Sequence, residues 1–121
     1  VDAAALQRER DMLGPLLETF VLQELRRQAS GRSEPLSFFH FRDRDDFEVD
    51  IVIERGAGQV AGVEVKAAAS VAERDLRGLR KLKVAAGRRF ASGVVLYDGE
   101  AGIDFGDGLY AVPLRTLWEG P

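Results

Sequence analysis

Two carboxylates on neighbouring predicted strands are the residues of this chain with the clearest chemical potential. Asp50 lies in one apolar segment, and Glu64 lies fourteen residues later in another. Residues 56–59 between the two segments include two glycines, which is typical of a hairpin turn. Since side chains alternate along a strand, Lys66 should lie on the same face as Glu64. If the hairpin pairs Asp50 near Glu64, two carboxylates and an ammonium group converge on one spot.

Such a spot is suited to a hard metal ion. Two close carboxylates repel each other, and a bound divalent cation or a shared proton relieves the repulsion. The chain has no Cys and a single His, so zinc–thiolate, disulfide, thiol-nucleophile and multi-histidine metal sites are excluded. Oxygen ligands remain, and these suit magnesium, manganese or calcium. The alternative is that Asp50, Glu64 and Lys66 form a buried ion-pair cluster with no metal and no turnover.

The single histidine, His40, lies in an alternating aromatic segment over residues 37–42. A Ser-His-Asp triad would have to use it. The alternation instead predicts a strand residue at the surface or rim of a sheet.

Charge is unevenly distributed along the chain, although the net charge is only −3. Residues 43–54 hold six acids and one base, and residues 73–89 hold seven bases and two acids. A negative metal site beside a positive surface is what a phosphodiesterase requires, because the bases can hold backbone phosphates. We therefore predict nucleic-acid binding by Arg74, Arg77 and Lys81. The alternatives are an ordinary solvated helix face or an interface with a partner.

Length and composition indicate one globular domain. The 121 residues are 45% hydrophobic and 31% charged, which is typical of a soluble protein with a real core. No apolar run approaches the roughly 20 residues that cross a bilayer, and residues 1–12 do not resemble a signal peptide. We expect a cytoplasmic protein with no membrane partner. The first residue is Val rather than Met, which suggests a piece of a larger protein.

The apolar periodicity predicts an α/β fold with a mixed central sheet flanked by helices. Residues 1–13 are interpreted as an N-terminal extension and residues 14–121 as the domain, with Gly14-Pro15 as the start of the first helix. A helix between the third and fourth strands implies a parallel crossover, and Asp107-Gly108 predicts a turn before the last strand. The predicted helices cover residues 14–29 and 72–86, with a short turn at 117–118, and the predicted strands cover 36–42, 48–53, 60–66, 89–97 and 109–112.

These elements and residues resemble the PD-(D/E)xK nuclease superfamily. Its restriction-endonuclease-like core has the order αβββαβ, with Asp on the second strand, here Asp50, and Glu-x-Lys on the third, here Glu64-Val65-Lys66. The Pro of the family name is replaced by Val49. A narrower resemblance, which covers nearly the whole chain, is to the C-terminal nuclease-like domain of prokaryotic AAA-type P-loop ATPases, a family of unknown function. It is carried by the segments 14–21, 24–25, 47–50, 63–66 and 108–114.

The resemblance implies a set of site residues. Asp50 and Glu64 would bind Mg²⁺ or Mn²⁺ together with the Val65 carbonyl, and Lys66 would position or activate water or offset charge on the phosphate. Glu18 on the first helix would add an acid near the metal. Helical spacing alone does not single out Glu18, because it places Glu24 inside the apolar stripe as well. Glu48 shares the Asp50 face and is expected to be a further ligand or an ion-pair partner for an Arg.

The resemblance also implies a function and partners. The expected activity is divalent-metal-dependent phosphodiester hydrolysis of nucleic acid, with DNA the favoured substrate. The alternative is a catalytically inactive module that binds DNA or contacts and regulates its ATPase partner. No phosphate-binding G-x-x-x-x-G-K-[ST] motif occurs in the chain, so the upstream P-loop ATPase module is expected outside it. Many nucleases of this superfamily dimerise, so a homodimer is possible.

Overall fold

Helices pack around a central sheet in the computed structural model, which describes residues 3–31, 35–56 and 58–119, with side chains from residue 15 onward. Within these residues the sheet has six strands and the chain forms three α-helices. The helices are α1 (Ala3–Ala29), α2 (Arg77–Ala86) and α3 (Thr116–Glu119), and the strands are β1 (Leu36–Arg42), β2 (Glu48–Arg55), β3 (Val60–Lys66), β4 (Phe90–Tyr97), β5 (Ile103–Gly106) and β6 (Leu109–Pro113). Two short 3-10 turns, Glu73–Leu76 and Gly87–Arg89, flank α2.

The sheet is mixed, as predicted, with the strand order β1-β2-β3-β4-β6-β5. Strands β1, β2 and β3 pair antiparallel, and β4 lies parallel to β3 on one side and to β6 on the other. The pairing of β5 with β6 is antiparallel. The prediction of two strands after the second helix was wrong, because the hairpin region supplies β5 as well. Its four residues are mostly exposed at the edge of the sheet, so they lack the apolar run that marks a central strand.

Two apolar clusters cover the two faces of the sheet. On one face Leu76, Leu79 and Leu82 pack against buried residues of β2, β3, β4 and β6. On the other face Val21 of α1 packs against Ile51, with Val63 and Leu96 in the same cluster. Since strand side chains alternate between faces, α1 and α2 lie on opposite sides of the sheet. The α/β class with flanking helices is confirmed, and the restriction-endonuclease-like core stays a prediction.

Helix α1 is longer than predicted. It begins at Ala3 rather than at Gly14, and Pro15 lies inside it. The segment before Gly14 is rich in Ala, Leu, Gln, Glu and Arg, which are strong helix formers. Their summed preference carries the helix through a proline that lacks one backbone donor. The helix is continuous across residues 13 and 14, and the division into an extension and a domain stays a prediction.

Helix α2 approaches the sheet closely at positions where the sequence has glycine. A Cβ on Gly62 would lie 2.6 Å from a methyl group of Leu79, and one on Gly93 would lie 3.1 Å from the same group. Gly78 faces the strand in the same way, since a Cβ there would collide with the Glu48 carbonyl oxygen. These contacts set α2 directly above β3 and β4 and against the start of β2. Among the described residues, no helix combines the length and apolarity needed to cross a bilayer.

Candidate active site

Strands β2 and β3 separate at the two predicted carboxylates. The backbone ladder between them runs from Glu54 and Val60 to Ile51 and Val63, and ends there. One residue further on, Glu64 Oε1 accepts a hydrogen bond of 2.6 Å from the Asp50 N–H. The predicted convergence of the two acids is therefore present in the structure.

The second half of this reciprocal arrangement is made by Asp50. Its Oδ2 accepts a hydrogen bond of 2.8 Å from the Val65 N–H. Each carboxylate therefore satisfies a backbone donor that the separating strand no longer pairs. The remaining oxygens, Asp50 Oδ1 and Glu64 Oε2, accept no hydrogen bond from the described residues. One oxygen of each acid thus stays available for another ligand.

A β-bulge contributes to the orientation of Asp50. Along β1 the pairing steps by two residues from Phe39 to Phe41, whereas along β2 it steps by three from Val52 to Val49. Asp50 and Ile51 on β2 therefore lie opposite the single residue His40 on β1. Bulges bend a strand and re-aim side chains, and they are frequent next to active sites. The sequence carried no signal for this bulge, because the apolar run through 49–53 is uninterrupted except at Asp50 itself.

Lys66 is near the two acids, but its ammonium group is paired with a residue that the sequence did not single out. Lys66 Nζ lies 2.5 Å from Asp75 Oδ2, and both side chains are mostly buried. Asp75 also accepts a 2.7 Å hydrogen bond from the Ala72 N–H at the start of the Glu73–Leu76 turn. An acid at the third position of a helix start is a sequence signal for the second contact. The contact with Lys66 depends on tertiary structure.

These residues line one open pocket of about 400 Å³. Asp50, Glu64 and Lys66 are on its wall with Asp75, and two of the three predicted nucleic-acid-binding residues, Arg74 and Arg77, also line it. The other lining residues are Asp46, Phe47, Glu48, Val65, Gly78 and Val95. The pocket is therefore acidic at the strand ends and basic along the start of α2.

The three predicted basic residues differ in their contacts. Arg74 and Arg77 are exposed, and neither forms a hydrogen bond or ion pair with any residue in the described ranges. Lys81 lies outside the pocket lining. Its Nζ is 5.1 Å from the centre of the Phe47 ring and 3.8 Å from Asp45 Oδ2. Arg74 and Arg77 are thus available to an anion in the pocket, whereas Lys81 is already engaged.

Glu18 approaches Asp50 from the other side of the sheet. It lines a second pocket of about 270 Å³ with His40 and Asp50, so Asp50 borders both pockets. Burial raises the pKa of Glu18, and the negative charge of Asp50 raises it further. Glu24, the other acid that helical spacing placed inside the apolar stripe, instead pairs with Arg27. The structure thus separates the two candidates and brings only Glu18 to the acidic cluster.

His40 is an exposed residue of β1, as predicted. Its Nε2 lies 3.2 Å from Glu48 Oε1, and its Nδ1 lies 3.4 Å from the Asp50 carbonyl oxygen. Glu48 thus contacts His40 and forms an ion pair with Arg42 at 4.0 Å, at the rim of the site. The sequence analysis did not anticipate the contact between His40 and Glu48 next to Asp50.

Among the described residues, neither Asp50 nor Glu64 forms an ion pair with a lysine or arginine side chain. Burial raises the pKa of Glu64 to about 8, and the nearby Asp50 carboxylate contributes in the same direction. Burial also raises the pKa of Asp50, against the lowering effect of its hydrogen bond from Val65. The ammonium group of Lys66, which lines the same pocket, is directed to Asp75. The pair Asp50 and Glu64 therefore favours either a proton or a cation.

Within the described part of the chain, no three His, Cys, Asp or Glu side chains form a group that could hold a metal ion. A cation at the strand ends would have two carboxylate ligands and would complete its coordination with other oxygens. Mg²⁺ is commonly bound in this way, by one or two carboxylates, waters and substrate phosphates, whereas Ca²⁺ takes six to eight oxygen ligands. The donor set suits Mg²⁺ or Mn²⁺ better than Ca²⁺.

Most of the sequence matches one known protein family. The family described as a domain of unknown function, DUF4143, matches residues 13–117. The chain belongs to the DUF4143 family. The match includes both carboxylates, Lys66 and Asp75, so the pocket lies wholly within the DUF4143 region. No curated protein matches the chain in sequence.

The DUF4143 fold is similar to a chain in one solved assembly. That assembly is a refined half-complex from a tetradecameric assembly of Thermococcus gammatolerans McrB AAA+ hexamers with bound McrC. The TM-score is 0.52 at 16% sequence identity, over 83% of this chain and 27% of the other. This chain thus spans about a quarter of the length of the one it matches. At this identity the likeness concerns the fold alone.

Proposed function

We propose that this DUF4143 domain is a divalent-metal-dependent phosphodiesterase that acts on nucleic acid, with DNA as the favoured substrate. One observation carries the proposal: Asp50, Glu64 and Lys66 line the same open pocket as two unpaired arginines, Arg74 and Arg77. Acids that can hold a cation are thus placed beside bases that can hold a phosphate. The assignment to the PD-(D/E)xK superfamily is part of this proposal.

The residues present fit a small hard cation. Asp50 and Glu64 each keep one oxygen free of hydrogen bonds within the described ranges, and burial together with the negative charge of Asp50 raises the pKa of Glu64. The N–H and C=O groups of a strand residue point to the same edge of the strand. The Val65 N–H points to Asp50, so the Val65 carbonyl should face the same gap. Asp50, Glu64 and the Val65 carbonyl would hold Mg²⁺ or Mn²⁺.

The side chains of the pocket have separate roles in the proposed reaction. A bound Mg²⁺ or Mn²⁺ supplies Lewis acidity and positive charge to the phosphate oxygens. Arg74 and Arg77 bind flanking phosphates and orient the nucleic-acid strand. Lys66 donates hydrogen bonds to the attacking water or to the phosphate as negative charge develops. Glu18 lies on the opposite side of Asp50 and adds negative charge. This charge makes ionised Asp50 and Glu64 less stable without a bound cation and so favours cation binding.

Calorimetric titration with Mn²⁺ tests the metal site. Wild type should bind Mn²⁺, and Asp50→Asn and Glu64→Gln should bind it at least tenfold more weakly, a loss of about 1.4 kcal/mol or more. Both amides keep an oxygen that can accept the strand hydrogen bonds, so the fold should persist. Near pH 7 the binding heat should change with the ionisation enthalpy of the buffer, because Glu64 loses a proton to become a ligand.

The matched control for the titration is Asp104→Asn. Asp104 lies on β5 at the far edge of the sheet, and its Oδ1 accepts a hydrogen bond from the Gly106 N–H that Asn can also accept. It should bind Mn²⁺ as wild type does. Equal Mn²⁺ affinities of wild type, Asp50→Asn and Glu64→Gln would contradict a metal site at these two carboxylates.

Cleavage of plasmid and single-stranded DNA, with an RNA of the same sequence for comparison, tests the chemistry. Wild type should cut in Mn²⁺ or Mg²⁺ and not in EDTA, and Lys66→Ala should lower the rate by about 100-fold or more. Persistence of the cut in Lys66→Ala would point to a contaminating nuclease. A protein that binds Mn²⁺ but cuts neither nucleic acid would contradict the enzymatic proposal.

The second candidate is a non-catalytic module that contacts an ATPase partner. It is favoured by large apolar side chains that α1 leaves exposed, since Leu16 and Phe20, four residues apart on one face, are 53% and 54% exposed. The fold likeness to a chain from an assembly of AAA+ hexamers agrees with the expected upstream P-loop ATPase module. Alternatively, the same apolar surface of α1 forms a homodimer.

Purification of the full-length protein with its ATPase portion distinguishes these uses. If α1 contacts the ATPase portion, Leu16→Asp with Phe20→Asp should change the ATP hydrolysis rate and leave the isolated domain monomeric. Loss of a dimer of the isolated domain in the same variant would assign the surface to self-association instead. Light scattering coupled to size-exclusion chromatography measures the mass in each case.

A further inference from the structure

Asp75 forms two contacts with a single carboxylate oxygen. Its Oδ2 lies 2.5 Å from Lys66 Nζ and 2.7 Å from the Ala72 nitrogen. The Asp75 N–H in turn donates a hydrogen bond of 2.9 Å to the Ala72 carbonyl oxygen. The Asp75 backbone and side chain are thus both tied to the first turn after β3.

This turn is itself fixed to the core. Leu76, the next residue, is fully buried in the cluster that includes Leu79 and Val95. The backbone of Asp75 is therefore less mobile than that of an acid on a surface loop. Lys66, by contrast, has a long side chain whose rotamer freedom is costly to restrict. A fixed acid beside a flexible cation acts as a restraint on the cation.

Lys66 pairs with Asp75 rather than with the two strand-end acids of the same pocket. Asp50 and Glu64 line the same pocket, yet the hydrogen bond of the ammonium group is to Asp75. Burial alone would raise the pKa of Asp75, but the hydrogen bonds from Lys66 and the Ala72 N–H, with the charges of Lys66 and Arg74, together lower it. Asp75 is thus the charged partner of Lys66, and the two strand-end acids are left to each other.

We propose that Asp75 is a positioning residue that holds Lys66 Nζ at the wall of the pocket, apart from Asp50 and Glu64. The inference rests on the proposed function for its role in catalysis. Asp75 keeps Lys66 from pairing with the strand-end acids, which leaves those acids to a cation. It also fixes the direction from which Lys66 reaches the phosphate, and misplacement of such a group by about 1 Å can cost about 100-fold in rate.

Asp75→Asn separates this role from a purely structural one. The Asn oxygen can still accept the hydrogen bond from the Ala72 N–H, so the start of the helix is kept, while the charge facing Lys66 is removed. Asp75→Glu restores the charge. Glu73→Gln is the matched control, because Glu73 lies on the same turn but pairs with Arg80 at 2.6 Å.

The first readout requires no activity. Lysine residues are modified with an amine-reactive reagent, and the rate at each position is measured by mass spectrometry with Lys83 as the internal reference. The comparison is made in a background of Asp50→Asn and Glu64→Gln, which removes the strand-end carboxylates to which a released Lys66 could turn.

Lys66 should react faster when Asp75→Asn is added to this background, because it loses the carboxylate that restrains it. Its rate should stay the same when Glu73→Gln is added instead. An unchanged Lys66 rate with Asp75→Asn would overturn the proposal.

The second readout is single-substrate cleavage kinetics. Asp75→Asn should lower kcat by about 10- to 100-fold with little change in KM, since Arg74 and Arg77 still bind the substrate. Asp75→Glu should recover part of kcat. An equal fall of kcat in Glu73→Gln would assign the effect to the turn as a whole and overturn the proposal.

The two readouts keep this inference distinct from the proposed function. If wild type cuts no nucleic acid, the proposed function fails, and the modification rate alone decides whether Asp75 restrains Lys66. If wild type cuts and Asp75→Asn cuts equally well, the positioning role fails and the proposed function stands. Should Asp75→Asn not fold, comparison of Asp75→Glu with Glu73→Gln decides, because Asp75→Glu keeps both the charge and the acceptor.

Discussion

Glu64 should make the stability of the metal-free protein depend on pH. Its pKa rises from 4.5 to about 8 in the folded state, first through burial and then through Asp50. Between these values the folded state holds a proton that the unfolded state has lost. The free energy of unfolding should therefore be highest below pH 4.5 as far as Glu64 is concerned, and should fall by roughly 2–5 kcal/mol as the pH rises to 8.

Urea denaturation from pH 5 to pH 9 in EDTA measures this dependence. Glu64→Gln should flatten most of it, because Gln holds no charge and can still accept the Asp50 N–H. Glu100→Gln, at an exposed acid outside the pocket, should retain it. Added Mn²⁺ should stabilise wild type more at pH 8.5 than at pH 5.5, since it competes with the proton. A pH dependence that is the same in wild type and Glu64→Gln would contradict the assignment.

Arg74 and Arg77 should contribute phosphate contacts rather than fold stability. Because both are exposed and unpaired within the described ranges, replacing either by Ala should change the free energy of unfolding by less than about 0.5 kcal/mol. DNA affinity should fall, and the slope of log K against log salt should decrease in magnitude by about 1 for each arginine.

Arg88→Ala is the matched control for the DNA measurement. Arg88 is an exposed arginine in the Gly87–Arg89 turn, beyond the far end of α2 from the pocket. Fluorescence anisotropy at several salt concentrations gives both the affinity and the slope. If Arg88→Ala reduced the slope as much as Arg77→Ala, the binding would be diffuse rather than centred on the pocket.

At the residue scale, part of the site could be predicted from the sequence. Asp50 and Glu64 stand out because each interrupts an apolar strand, and the alternation of side chains indicates their common location. Asp75 could not be assigned in the same way. Its contact with Lys66 depends on how the start of α2 sits above β3, which no local pattern encodes.

At the scale of elements, the close approach of α2 to β2 positions the basic side of the pocket. Gly78 is buried, and a Cβ there would collide with the Glu48 carbonyl oxygen. Gly78→Ala should push α2 away from β2 and lower the free energy of unfolding by about 1–3 kcal/mol, despite the better helix propensity of Ala. Mn²⁺ affinity should change less than DNA affinity, because Arg77 moves with α2 while the strand-end acids do not.

Chemical denaturation and the two binding assays measure these effects. Gly31→Ala is the control, since the nearest atom to a Cβ there is the Gln28 carbonyl oxygen at 3.9 Å, an ordinary contact. A Gly78→Ala variant as stable as wild type and unchanged in DNA binding would show that α2 can shift without cost. The pocket would then not depend on this close approach.

The elements that the sequence predicted best are those with a single strong pattern. The apolar runs of β2, β3 and β4 match the structure closely, whereas the helix predicted over 72–86 is a 3-10 turn over Glu73–Leu76 followed by α2 from Arg77. The end of α2 at Gly87, which has a φ of 59°, was also predicted, as was the turn at Asp107-Gly108, where both φ angles are positive. The predicted start of α1 at Gly14-Pro15 was wrong, because Pro15 lies inside a longer run of helix formers and the helix already begins at Ala3.

At the scale of the whole molecule, one sheet is shared by two apolar clusters that lie on its opposite faces. Val94 and Val95 are adjacent in β4, yet one packs against the α1 cluster and the other belongs to the α2 cluster. Neither cluster can lose its packing without disturbing strands that the other needs. The sheet therefore couples the pocket on the α2 side to Glu18 on the α1 side.

This coupling predicts a single cooperative unfolding transition. Leu79→Ala and Val21→Ala each remove a fully buried side chain, one from each cluster. Leu79→Ala should lower the free energy of unfolding by about 2–5 kcal/mol, and Val21→Ala by a smaller amount because fewer methyl groups are lost. Both variants should give the same urea midpoint by far-UV and by near-UV circular dichroism. The long helix α1 contributes strongly to the far-UV signal, and the buried Tyr97 ring contributes to the near-UV signal.

Val84→Ala is the control, because Val84 is 82% exposed and its truncation should leave the midpoint unchanged. Separate midpoints in either core variant would mean that α1 and the α2 face unfold as independent units, and Glu18 would then not be held against Asp50 by the sheet.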